Sequence, residues 1–235
     1  MSQAFEELDY RQTVLGAVSL RRRIEPKLGG EIVYEVKLGE DFLMSSLFTE
    51  AEIQLAELGL TRLRNVDADV VVGGLGLGYT AVAALNEPTV KSLTVIELFE
   101  PVIDWHRRGL VPNGAILTSD PRCTLRQGNF FEIVASPTTG VLGHAVLVDI
   151  DHSPGHWLAP ENSAFYSQAG LAAMSDKLHP GGVLGMWSND PPDRGFIALL
   201  DGVFDSVETH IVSFENLYTG GESSNSVYLA YKKSA

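Results

Sequence analysis

The sequence predicts an α/β protein: a mostly parallel, seven-stranded sheet with helices on both faces, preceded by a small N-terminal β-hairpin module. Three observations carry this expectation. Short, nearly unbroken apolar runs recur at Val70-Val71-Val72, Leu93-Thr94-Val95-Ile96, Ala145-Val146-Leu147-Val148 and Val183-Leu184-Gly185-Met186-Trp187, the texture of strands buried on both faces. Helical stretches separate the runs, and strands alternating with helices imply a parallel sheet covered on each side. The first run leads into a glycine-rich turn and then a helix, which brings a backbone corner close to any ligand at the carboxyl edge of the sheet.

Residues 1–48 form the hairpin module. Residues 13–20 and 31–38 alternate as paired strands do, with Pro26 and Gly29-Gly30 as turn material between them. The main domain, residues 49–235, opens with a helix: Thr49-Glu50-Ala51-Glu52 supplies an N-cap and an acidic first turn, Ile53, Leu55, Ala56 and Leu58 the apolar face, and Gly59 the end. Further helices are expected over 80–85, 100–108 and 162–178, the last closed by Pro180-Gly181-Gly182. A third core strand ends near Gly128, and residues 207–212 and 226–231 complete the sheet as an antiparallel pair joined through Gly220-Gly221.

Composition narrows the function classes. Of the 235 residues, 45% are hydrophobic, enough to bury a full core. Seventeen Lys and Arg against 30 Asp and Glu leave a formal charge of −13, which repels a phosphate backbone and argues against a nucleic-acid partner. Arg21-Arg22-Arg23 reads as a solvated strand or turn, with no catalytic role. The single Cys123 allows neither an intramolecular disulfide nor a multi-Cys zinc site and reads as inert packing. No run reaches the roughly 18 to 20 apolar residues that span a bilayer. Residues 1–9 are polar and acidic, without a basic start and an apolar stretch behind it, so a cytoplasmic protein is expected.

The candidate site follows the strand ends. Gly74, Gly76 and Gly78 lie in the turn Gly73-Gly74-Leu75-Gly76-Leu77-Gly78, and Glu97 ends the next strand about twenty residues later, where a carboxylate accepts ribose hydroxyls. Leu98 follows it. Asn129 stands where an amide reads an adenine edge, Phe130 where a ring covers the adenine face, and Asp149 ends the fourth core strand. This order of glycine turn, Glu, Asn-Phe and Asp is that of a Rossmann-like methyltransferase fold, and the expected cofactor is S-adenosylmethionine. Asp149, Asp151 and His152 are the candidate catalytic residues: the acids suit a cationic amine, and an imidazole is partly neutral near pH 7. His156 and Trp157 are candidates for the acceptor pocket, no metal site is assigned, and His210 is given no role.

Together with Asp120-Pro121-Arg122, Phe165-Tyr166 and the segment 178–184, these motifs resemble the spermidine synthase (polyamine aminopropyltransferase) family over most of the chain. The resemblance implies that Gly74, Gly76, Gly78 and Glu97 bind a nucleoside, that Asn129 reads its adenine, that Asp149 lies at the reaction centre, and that the protein is a homodimer. Three departures stand out. Leu77 replaces an Asp that recognises the donor's aminopropyl amine in that family, His152 replaces a second Asp, and Ile53-Gln54-Leu55 replaces a Tyr-His-Glu trio. The expected activity is therefore S-adenosylmethionine-dependent transfer of a methyl group to a small-molecule acceptor, an amine among the candidates. Aminopropyl transfer from decarboxylated S-adenosylmethionine is the rival, and a catalytically silent nucleoside-binding homologue is the third reading.

Overall fold

The computed structural model describes residues 5–234. Strands β1 (Phe5–Thr13), β2 (Gly16–Glu25), β3 (Glu31–Leu38) and β4 (Asp41–Ser45) pair in sequence order as a four-stranded antiparallel sheet. The expected hairpin is its centre, β2 and β3, joined through a 3₁₀ turn at Pro26–Leu28 and a left-handed Gly29 (φ 68°). The two outer strands correct the expectation. Residues 5–13 look too polar for a strand, yet Glu6 and Glu7 sit opposite Arg22 and Arg21 in register and form ion pairs of 2.7 and 3.5 Å. The arginine run is thus a strand face matched to acids.

The main sheet runs β10-β11-β9-β8-β5-β6-β7 and has the expected seven strands. Its members are β5 (Ala68–Gly73), β6 (Val90–Glu97), β7 (Cys123–Gln127), β8 (Gly143–Val148), β9 (Leu178–Ser188), β10 (Ser206–Asn216) and β11 (Gly221–Tyr231). Strands β5 to β9 are parallel, and β11 is antiparallel to both its neighbours. Alternation along β5 divides the core: Val70 and Val72 pack with Leu55, Ala81 and Trp105 on one face, while Val71 packs with Phe130, Leu171 and Phe196 on the other. Helices α1 (Glu50–Leu60), α2 (Tyr79–Asn86), α3 (Glu100–Arg107) and α4 (Gly114–Ser119) cover the first face; α5 (Phe130–Ala135), α6 (Gln168–Asp176) and α7 (Arg194–Asp201) cover the second. The strand order reverses at β5, between β6 and β8, so the ligand crevice of an open α/β sheet belongs at its carboxyl end.

Local corrections have packing causes. Gly59 does not end α1, which continues to Leu60. A Cβ there would stand 2.8 Å from Leu147 Cδ2, so the glycine lets the helix approach the sheet. The expected helix over 162–178 is a 3₁₀ turn at Pro160–Ala164 followed by α6, whose cap is the Ser167 hydroxyl accepting from Gly170 N; Leu178 and Pro180-Gly181-Gly182 already belong to β9. The short helices α4, α5 and α7 are additional to those expected.

The β10–β11 hairpin reaches over to the N-terminal sheet. The Tyr218 hydroxyl donates to Glu25 Oε2 at 2.6 Å and accepts from Arg23, Lys27 Nζ donates to the Leu217 carbonyl at 3.0 Å, and Phe214 packs on Phe48 with ring centroids 5.2 Å apart. These contacts roof the crevice. Gly170 fixes the start of α6 against the preceding turn, because a Cβ on it would lie 2.5 Å from the Phe165 carbonyl oxygen and 2.6 Å from Phe165 Cα, both backbone. Gly170→Ala is expected to destabilise the protein by about 3 kcal/mol, measured as a lowered urea midpoint at unchanged slope.

Candidate active site

A cavity of about 1040 Å³ opens at the carboxyl ends of the core strands, under the N-terminal sheet. Its floor is the turn after β5. Gly74 (φ 94°) and Gly76 (φ 47°) adopt left-handed backbone, and a side chain on Gly74 would overlap the Asp149 carbonyl oxygen, so the turn and the end of β8 touch only because Gly74 carries no side chain. Asp149 N donates to the Gly73 carbonyl at 2.8 Å and Gly74 N to the Ile96 carbonyl at 2.9 Å, which ties the turn to both flanking strands.

Two amides of this turn have partners within the protein. Glu97, 7% exposed, accepts from Leu75 N at 2.9 Å and Phe99 N at 2.8 Å. Burial raises its pKa and the neighbouring backbone N–H groups, Phe99 first, oppose the rise. Leu77 N donates to Met44 Sδ at 3.0 Å, from β4. Leu77 itself is fully buried in the core and its carbonyl accepts from Asn113 Nδ2, so it offers the cavity no polar group. Gly78 (φ 87°) is the N-cap of α2, where an added Cβ would meet Leu117 at 2.7 Å; it serves helix packing and is not among the residues that line the cavity.

Leu98, Asn129 and Phe130 line the cavity. Asn129 also caps α5, its Oδ1 accepting from Phe131 N at 3.0 Å and Glu132 N at 3.4 Å, while its Nδ2 donates to Glu132 Oε1. Phe130 is 2% exposed and packs edge-on against Phe131 and Phe165.

Asp149 lies on the cavity wall beside a residue that the sequence motifs did not single out, Glu52 of α1. The Thr80 hydroxyl is 2.8 Å from Asp149 Oδ2 and 3.2 Å from the Glu52 carbonyl oxygen, and its single proton goes to the shorter contact. Glu52 is 8% exposed. Burial, then the charge of Asp149, pushes its pKa up to about 8; burial pushes Asp149 up to about 6 against the Thr80 hydrogen bond. Near neutrality the two carboxyls together hold about one proton. Among the described residues lining the cavity there is no Lys or Arg to compensate them. Glu52 was legible in one respect: it falls on the buried stripe Glu52, Leu55, Ala56, Gly59, an acid in a helix's apolar face.

The loop after β8 divides its residues. His152 and His156 face the cavity with ring centroids 5.0 Å apart, and burial, followed by His156, lowers the His152 pKa. Asp151 turns away from the cavity. Its Oδ1 accepts from Leu158 N and Asn162 Nδ2, both at 2.8 Å, and its Oδ2 from the Tyr166 hydroxyl at 2.9 Å. It anchors the loop that carries His152. Trp157 is also off the cavity, stacked on Tyr166 with Nε1 donating to the Pro154 carbonyl. On the opposite wall stand Phe48, Trp187 and Phe214, with Asn225 donating to Asn189 Oδ1. At the other edge of the sheet Asp69, His144 and His179 cluster, but His144 Nδ1 already accepts from Asp69 N at 3.1 Å.

No family model matches the chain. Superposition on solved structures decides the architecture: a spermidine synthase bound to the transition-state analogue AdoDATO matches with a TM-score of 0.74 at 19% identity, covering 97% of this chain and 74% of that one. The chain has the spermidine synthase fold. The spermidine synthase of Thermotoga maritima matches equally well, with a TM-score of 0.74 at 18% identity and the same coverage. In sequence, putrescine N-methyltransferase 3 of Nicotiana tabacum is 29% identical over 130 residues, 55% of this chain and 32% of that protein. Putrescine N-methyltransferase 1 of Nicotiana attenuata is 28% identical over 130 residues, 31% of its length. The matched stretch spans about a third of these curated relatives. Within the spermidine synthase fold, this chain's acid pair joins the helix before the glycine turn to the end of the fourth core strand.

The pair gives a stability signature. Glu52 binds its proton more tightly folded than unfolded, so the native state holds more protons between the unfolded value, about 4.3, and about 8. Its contribution is fully present below that interval and is lost as pH rises through it. Glu52→Gln is expected to be more stable than the parent by about 1 to 3 kcal/mol at pH 8.5, with the gap closing near pH 4, read from urea unfolding at both pH values.

Proposed function

We propose that this chain is a transferase that moves the methyl group of S-adenosylmethionine to a cationic amine. One observation carries the proposal: an acid pair, buried Glu52 and half-buried Asp149, faces the cavity without a cationic partner among the lining residues. An uncompensated buried carboxylate is costly and finds its counter-charge in a ligand. The donor class follows from the glycine turn. A pyrophosphate needs free turn amides, and here those of Leu75 and Leu77 are taken by Glu97 and Met44. What the turn offers is close approach and carbonyl oxygens, which suit a positively charged sulfonium nucleoside. Gly74, Gly76, Glu97, Leu98, Asn129 and Phe130 are the residues that would hold it. Similarity to proteins named putrescine N-methyltransferases supports the same reading.

When bound, the donor supplies an electrophilic methyl group and retains the sulfur–carbon electron pair as a neutral thioether. The chain's own residues do the rest. The half-protonated pair carries one negative charge that draws an ammonium ion to the cavity floor, and its ionised carboxylate takes the ammonium proton, freeing the nitrogen lone pair. Fixed walls align that lone pair with the methyl group. His152, kept neutral by burial and by His156, is a second base on the same wall.

A second reading is favoured by one specific feature. Glu52 beside Asp149 provides two acids where a donor's amine could sit, and no Lys or Arg lines the cavity, among the described residues, to meet a methionine carboxylate. That would suit aminopropyl transfer from decarboxylated S-adenosylmethionine. Calorimetry with both donors and mass analysis of products separates the two: S-adenosylmethionine is expected to bind more tightly and the amine to gain a methyl group. Tighter binding of the decarboxylated donor with a gained aminopropyl group would replace the methyl reading, and donor binding without turnover of any amine would refute both. In the expected case kcat/KM rises between pH 6 and 8 as the pair ionises, and Asp149→Asn lowers it about 10²-fold or more.

A further inference from the structure

Resting on the amine-transfer reading above, we propose that the acceptor is a monoamine with a bulky, aromatic body and not a linear diamine. A diamine needs a carboxylate at each end of its site, because an ammonium group left against apolar walls loses its hydration without return. The cavity holds only one such pair of acids out of solvent. Of its lining carboxylates, Glu97 already accepts from Leu75 N and Phe99 N, and Glu132 and Glu161 are exposed, with Glu132 also taking the Asn129 amide. Glu52 and Asp149 are the remaining pair.

An aromatic group also lines the cavity. Phe48 comes from the loop between β4 and α1, Trp187 from β9 and Phe214 from β10, and Phe48 and Phe214 pack with ring planes tilted by 34°. Three further apolar residues, Val14, Leu15 and Phe42, line the mouth and are 84, 39 and 50% exposed. Apolar side chains that line a cavity while open to solvent gain most when a ligand covers them. The aromatic group also suits the product: methylation leaves a larger, less hydrated ammonium, which ring faces accept through cation–π attraction. A four-carbon diamine would cover little of this wall and would place its second charge against it. An arylalkylamine places its nitrogen on the acid pair and its ring against Phe48, Trp187 and Phe214.

The test is a calorimetric titration of the full chain, saturated with S-adenosylhomocysteine, against 2-phenylethylamine, n-butylamine and putrescine. The expected order is 2-phenylethylamine tightest, with Kd at least tenfold below putrescine and n-butylamine between them. Phe214→Ala is expected to weaken 2-phenylethylamine at least fivefold with the affinity for S-adenosylhomocysteine retained, which shows that the variant folds. Putrescine binding as tightly as 2-phenylethylamine, or no binding of the aromatic amine to the loaded protein, would overturn the proposal and leave the transferase reading standing. Failure of S-adenosylhomocysteine itself to bind would remove that reading, and this one with it.

Discussion

Two carboxyl groups, Glu52 and Asp149, share the floor of one cavity with no cation among its described lining residues to offset them, and much of the architecture serves to keep them there. Neither position is free to move. Glu52 sits in the buried stripe of α1, which packs on the sheet closely enough to need Gly59 against Leu147. Asp149 follows a strand buried on both faces and holds the glycine turn through its own backbone, its carbonyl oxygen filling the space a Gly74 side chain would take. Thr80, the second residue of α2, reaches both neighbours. Burial without a partner costs stability, and such a cost is characteristic of sites that await a charged ligand.

The glycine turn has an unusual division of labour. In a phosphate-binding loop the amides point at the ligand, whereas here Glu97 takes the Leu75 amide and Met44 from the N-terminal sheet takes that of Leu77. The turn is therefore rigid before any ligand arrives, and the N-terminal sheet is tied into it. The far side of the same sheet is held to the tip of the β10–β11 hairpin, where Arg23, Glu25 and Lys27 meet Tyr218 and Leu217. The roof over the cavity is a set of contacts between sequence-distant elements and depends on packing as much as on ion pairs, since half-exposed ion pairs contribute little.

The parallel core was readable because its strands are buried on both faces and leave long apolar runs, as at residues 70–72 and 145–148. Polar edge strand β1 and short β4 leave no such trace, since β1 is stabilised by cross-strand ion pairs that only the register reveals. Among site residues, Gly74, Gly76, Glu97, Asn129 and Asp149 lie on the cavity because each terminates a strand or opens the element after it. Asp151 and His152 are adjacent in sequence, and only the fold shows that one turns inward to Tyr166 while the other faces the cavity. The aromatic wall of Phe48, Trp187 and Phe214 has no local signature, because no sequence pattern links the three. Glu52 had a signature, an acid in phase with Leu55 and Ala56, outweighed by the ordinary preference of acids for a helix's first turn.

Infrared difference spectroscopy of the carboxyl C=O stretch tests the shared proton most directly. The free protein at pH 7 is expected to show a protonated-carboxyl band that disappears in Glu52→Gln and shifts when an amine binds alongside S-adenosylhomocysteine. A spectrum with no protonated carboxyl near neutrality, or a band indifferent to both the substitution and the amine, would contradict it.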